Sequence, residues 1–108
     1  MQNNAFQPFG PTYVITGGPV QVLTVNNQQA TSYRIRNITV TNAYIAWSPA
    51  LPSGNAPSIT SIPPVAGTAT LSTMGMVASS VEVFCLPPNA WFQSSAAGTF
   101  EVTPGEGI

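Results

Sequence analysis

Prolines and glycines interrupt this chain so often that no stretch is left in which a helix of ordinary length could form. Eleven prolines and nine glycines are spread over 108 residues. Proline removes a backbone donor, and glycine raises the entropy lost on ordering. No apolar set holds a 3.6-residue period through a window long enough for a helix. What survives between the breakers is a series of short runs in which side chains alternate, the period of a strand. An all-β chain follows. About eight short antiparallel strands, with turn signals at near-regular spacing, predict a jelly-roll-like β-sandwich with extended terminal arms.

The densest stretch is 80–103, SVEVFCLPPNAWFQSSAAGTFEVT. Val81, Val83 and Cys85 alternate with Glu82, Phe84 and Leu86, then Pro87-Pro88-Asn89-Ala90 makes a turn. Trp91-Phe92 follows, and Phe100 and Val102 resume the alternation. With apolar residues on both faces, this unit reads as a hairpin covered on two sides, at the centre of the domain. Earlier in the chain, Tyr13-Val14-Ile15 and residues 20–25 are short strands, and Asn26-Asn27-Gln28-Gln29 is a turn. SYRIRNITV, residues 32–40, is the longest β-rich run, and Asn37 breaks its alternation as a bulge would. AYIAW, residues 43–47, is expected to pair back on it, with a further short strand at 68–71. Residues 1–11 read as an N-terminal arm, 48–67 as a Pro/Ser-rich loop and 104–108 as a tail, all within a single domain spanning 1–108.

Chemistry is bounded by what is missing. Charged residues make up 5% of the chain, against about 25% in ordinary domains. They are Arg34, Arg36, Glu82, Glu101 and Glu106, with no Lys, His or Asp. No Ser-His-Asp, Cys-His or Ser-Lys constellation can be assembled from this set. Glu82 and Glu101, on strands expected to be neighbours, are the only pair with the makings of a glycosidase site. They read as outward-facing strand carboxylates, so no enzymatic activity is expected. Neither imidazoles nor a carboxylate cluster offer a metal site, and no cofactor motif is present. Two arginines do not form a phosphate-neutralising patch, and they are expected to pair with glutamates on an adjacent strand or another subunit. Asn37-Ile38-Thr39 fits the glycosylation pattern, read here as a chance match. No apolar run approaches the ~20 residues of a membrane span. The first residues carry neither a basic nor an apolar signal segment. The lone Cys85 is expected to be a buried thiol in a chain made in a reducing cytoplasm.

What remains is surface. So little charge removes colloidal repulsion and suits a chain that works packed against neighbours. Large amphipathic residues are the ones that anchor interfaces. The candidate interface residues are Phe6 and Phe9 in the arm, Trp47, and the pair Trp91 and Phe92, whose rings must point to opposite faces of their strand.

Four segments, SYRIRN, AYIAWSP, SVEVFCLPPNAWFQ and FEVTPGEGI, together resemble the small jelly-roll cement, staple and decoration proteins encoded beside the structural genes of short-tailed bacteriophages. The resemblance covers about residues 20–108 and carries no catalytic residue. It implies a virion component, made in the host bacterial cytoplasm, that binds the outside of the capsid and bridges major capsid protein subunits. A homodimer or other homo-oligomer is implied, with no nucleic acid or membrane partner. The alternative is a tail-associated or host-glycan-binding β module, in which exposed Trp and Tyr stack on sugars.

Overall fold

A computed structural model describes residues 6–25, 28–57, 73–95 and 98–107. The described chain is all-β, with nine strands and no helix. In order these are β1 (Gln7–Pro8), β2 (Tyr13–Ile15), β3 (Val20–Gln21), β4 (Ser32–Asn37), β5 (Ala43–Ser48), β6 (Thr73–Met76), β7 (Val81–Cys85), β8 (Trp91–Ser94) and β9 (Phe100–Glu106). One sheet runs β1-β9-β4-β7 with β2 also paired to β9; the other runs β3-β8-β5-β6. All pairings are antiparallel. Four of them are nested: β2 with β9, β3 with β8, β4 with β7 and β5 with β6. This is a long hairpin wound around a barrel-like core, the jelly-roll form of the β-sandwich.

The two sheets close on one core. Tyr33, Ile35, Phe100, Val102 and Ile15 from the first sheet meet Ile45, Phe92, Ala43 and Met76 from the second. Each set occupies alternate positions of its strand, which is why a period of two suffices to build both layers. The Tyr33 and Phe92 rings meet edge to face, 5.3 Å between centroids at 61°, a favoured aromatic geometry. The Tyr33 hydroxyl donates to the Pro87 carbonyl at 2.8 Å and accepts from the Ala90 amide at 3.3 Å. One core side chain thus holds the turn linking the sheets, where Asn89 takes a left-handed φ of 58°, a conformation Asn tolerates.

β5 matches the expected 43–47 to within one residue and β4 starts at Ser32 as expected but ends at Asn37, short of 40; the partners of both differ. AYIAW does not pair back on SYRIRN; β5 lies in the opposite sheet between β6 and β8. The 80–103 stretch is not one hairpin either. β7 and β9 belong to the first sheet and β8 to the second, so the Pro87-Pro88 turn is a crossover. β7 is an edge strand rather than a centre, and β4 and β9 hold the middle of their sheet. Cys85 is accordingly an exposed free thiol, not a buried one. From residues 20–25 only Val20–Gln21 is strand. The tetrad Thr73–Met76 is a strand in its own right.

Asn37 also departs from expectation. It continues the buried face of β4 rather than bulging out, and is fully buried. Its Nδ2 donates to the carbonyls of Thr41, Met76 and Val77 at 3.0–3.2 Å, and its Oδ1 accepts from the Thr39 amide at 2.8 Å. A polar side chain on the core face is tolerable because both ends are bonded. The same burial leaves no access to Asn37 for a glycan in the folded chain.

Residues 7–8 of the N-terminal arm and 104–106 of the tail are in strands of the domain, while residues 1–5 and 108 lie outside the described residues. Pro104 and Gly105 are buried within β9, opposite Tyr33 and Ser32, so the tail is held by its own sheet. β1 pairs with Gly105 and Glu106. A Cβ on Gly105 would overlap the Gln7 carbonyl, which makes glycine the residue that lets β1 approach. In the Pro/Ser-rich segment, residues 49–57 form no strand, and a turn closes with Gly54 N–H on the Leu51 carbonyl. The rest of that segment, the strand expected at 68–71 and residues 26–27 of the Asn/Gln turn lie outside the described residues.

Candidate interaction surfaces

With the inward positions absorbed by the core, the outward positions of each sheet define two candidate contact faces. Cross-strand partners share a face, so the register gives their composition directly. On the second sheet, Trp91 stands between Gln21 and Ser48, Ala46 between Gln93 and Thr73, and Tyr44 beside Gly75. None of these residues is charged. A Cβ on Gly75 would lie 3.0 Å from the Tyr44 ring, so glycine leaves the space that ring occupies. Ala46 is fully buried although it is on this outward side. Trp91 is half-buried, and its indole N–H is enclosed without an acceptor among the described residues. Such a donor costs stability until something accepts from it.

On the first sheet the outward rows are Val14, Glu101, Arg36 and Val81, then Thr103, Arg34 and Val83. Both cations of the chain are here. Arg36 pairs with Glu101 at 3.7 Å, with about half of its side chain exposed. The expected arginine–glutamate pairing on an adjacent strand is therefore present for Arg36. Thr103 meets Thr12 through their hydroxyls at 2.7 Å. Glu82 does not neighbour Glu101: β4 lies between their strands, with Glu82 opposite Ile35 and Glu101 opposite Arg36. The one carboxylate pair suggested by the sequence is thus split across a strand.

The sequence-derived interface residues scatter. Phe92 is wholly enclosed in the core and offers no surface to a partner. Its neighbour Trp91 points the other way, as strand geometry requires. Trp47, opposite Phe92, is on the inward side and packs half-buried against the core. Phe6 and Phe9 are half-buried on their own domain. The Phe6 ring lies over Gly105, and the Phe9 backbone links the Pro104 carbonyl to the Val25 amide. Of the five, Trp91 alone belongs to an outward face of a sheet. Tyr44, an amphipathic aromatic like the five, shares the outward face of the second sheet with Trp91, and Arg34 is on the outward face of the first.

A third feature opens at one end of the sandwich. Leu23, Thr24, Gln28, Gln29 and Asn89 line a cavity of about 230 Å³. Among the described residues, its walls hold amides, a hydroxyl and one aliphatic side chain, and no charge. Among the described residues, no three of His, Cys, Asp and Glu gather closely enough to hold a metal ion, and no helix is long and apolar enough to cross a membrane. Compared with known proteins, the chain matches no family model, no curated protein and no solved structure.

Proposed function

We propose that this chain is a structural virion protein that binds the outer surface of a bacteriophage capsid and bridges major capsid protein subunits, without catalysis. The observation that carries this reading is the outer face of the second sheet, where the half-buried Trp91 stands amid uncharged Gln, Ser and Thr side chains. A flat neutral partner surface packs against the exposed part of that ring, and aromatic anchors of this kind carry interface energy. A shell repeats its surface many times, so a bridging protein gains from avidity and needs no single strong site. The described parts of the tail and the N-terminal strand pair within the domain, and the bridging surfaces in this reading are the sheet faces. Self-association as a dimer or higher homo-oligomer belongs to the same reading.

Co-sedimentation of the purified chain with capsid shells tests it. Wild type should pellet with the shells to saturation, and Trp91→Ala should lose most of that binding while melting cooperatively. Equal pelleting of the two proteins would remove the Trp91 face from the contact.

The second reading, a glycan-binding or tail-associated module, is favoured by the neutral cavity at Leu23, Thr24, Gln28, Gln29 and Asn89. Amides and hydroxyls beside an aliphatic wall suit an uncharged sugar. Binding on a broad glycan array that disappears in Asn89→Gly, a change compatible with the left-handed backbone there, supports it; silence across the array counts against it.

A further inference from the structure

We infer that the outer face of the first sheet is a second contact surface, built to take a flat partner surface that carries a carboxylate, with Arg34 as its anchor. The inference rests on the bridging role proposed above, since a bridge needs two surfaces and the sandwich has two outer faces.

Arg34 and Arg36 are two residues apart on one strand and share the outward side. Their electrostatic situations differ. Arg36 has Glu101 beside it at 3.7 Å, whereas Arg34 has no carboxylate within ion-pair distance among the described residues and is exposed. Two arginines against one glutamate leave the face with one positive charge. Val14, 59% exposed, and Val81, 42% exposed, flank the neighbouring Arg36–Glu101 row, while Arg34 stands between Thr103 and Val83 in the next. A lone guanidinium beside open aliphatic side chains is a composition that interfaces favour, because Arg pairs with carboxylates through a planar fork and is weakly hydrated.

The face itself argues against a second copy of this chain as occupant. Placed face to face, two copies bring a positive charge against a positive charge. The other described carboxylates, Glu82 and Glu106, are on the edge strand and at the end of β9. Strand addition beside β7 is also discouraged, since Glu82 is in register with core-facing Ile35 and an inward charge blunts an edge. The occupant is therefore an acidic patch on the capsid subunit.

The test measures binding of wild type, Arg34→Lys and Arg34→Glu to the same capsid shells at low and high salt, with thermal melts as the folding control. The Arg34 side chain is exposed, so all three proteins should melt alike. Arg34→Glu should weaken binding about tenfold or more, Arg34→Lys should fall between, and the salt dependence of the wild type should flatten in Arg34→Glu. Shells that bind wild type and Arg34→Glu equally would overturn the inference while leaving the bridging role intact. Shells that bind neither would overturn both. Sedimentation equilibrium on the free chain adds a further arm: a wild-type dimer that dissociates in Arg34→Glu would make the occupant a second copy and contradict the assignment.

Discussion

The two outer faces of the sandwich come from the same alternating pattern, yet one is neutral and aromatic while the other carries both cations of the chain. On the second sheet, Trp91, Tyr44, Gln21 and Gln93 surround a fully buried alanine. On the first, Glu101 and Arg36 lie between exposed valines, with Arg34 in the next row. The core is shared and apolar, so it does not distinguish them. The difference teaches that a chain with five charges can still be strongly asymmetric when strand alternation sends three of them to one side. Binding at the neutral face should depend on shape and the Trp91 ring, and binding at the other on a single guanidinium.

The largest expected effect is inside the molecule. Phe92 and Trp91 are adjacent residues facing opposite ways, so truncating each separates the core from the surface. Phe92→Ala should cost about 3–5 kcal/mol by loss of a buried aromatic and the cavity left behind, read by urea denaturation, and both faces should lose their shape together. Asn37→Ala comes next. It removes bonds that tie β4 to the end of β6 in the opposite sheet, and leaves buried carbonyls without a donor. A loss of about 2–3 kcal/mol is expected, measured the same way; a near-neutral change would mean the two sheets do not depend on that tie.

Trp91→Phe sharpens the account of the neutral face. It deletes a donor that has no acceptor among the described residues, so the free protein should be unchanged or more stable by up to ~1 kcal/mol, while shell binding weakens with the smaller ring. Marked destabilisation in the free protein would mean that the indole N–H is already satisfied.

Alkaline pH probes the shared core. Burial pushes the Tyr33 phenol pKa up, and the backbone amides of Ala90 and Asn89 pull it partly back. The folded state then holds the phenol proton more tightly than the unfolded chain, whose tyrosine titrates near 10. The stability this contributes is full below about pH 10 and is lost as pH rises through the folded value. The melting temperature should therefore fall above about pH 10, and Tyr33→Phe should flatten that decline. The smallest effect belongs to the exposed Arg36–Glu101 pair. A double-mutant cycle should give a coupling of roughly 0.2–0.5 kcal/mol that shrinks with salt.

Much of the fold was legible because alternation names faces. Tyr33 and Ile35 against Arg34 and Arg36 announced which side of β4 is buried, and the scarcity of charge elsewhere agreed with it. Alternation does not name partners. In a jelly roll, strands that follow one another mostly change sheets, so the nearest-neighbour pairing expected of 32–47 and of 80–103 failed. Edge position was equally hidden: β7 has apolar residues on both faces, which resembles two-sided burial, yet an edge strand leaves them half-covered and Cys85 open. Pro104 and Gly105 looked like breakers, but the proline falls between the stretches of β9 that pair with β2 and β1. There its carbonyl accepts the Phe9 amide and the glycine admits β1. Of the candidate interface residues, Trp91 was legible as half of a Trp-Phe pair, but which ring faced outward depended on the sheet to which β8 belonged. Arg34 could not be singled out, because the counterion that separates it from Arg36 comes from a strand far away in sequence.

Copy number per particle, by quantitative mass spectrometry of purified virions, bears most directly on the claim that this chain binds the capsid exterior. The account predicts hundreds of copies in fixed ratio to the major capsid protein. Six, twelve or a few dozen copies would assign the chain to the tail or portal, and its absence from the particle would contradict the virion reading altogether.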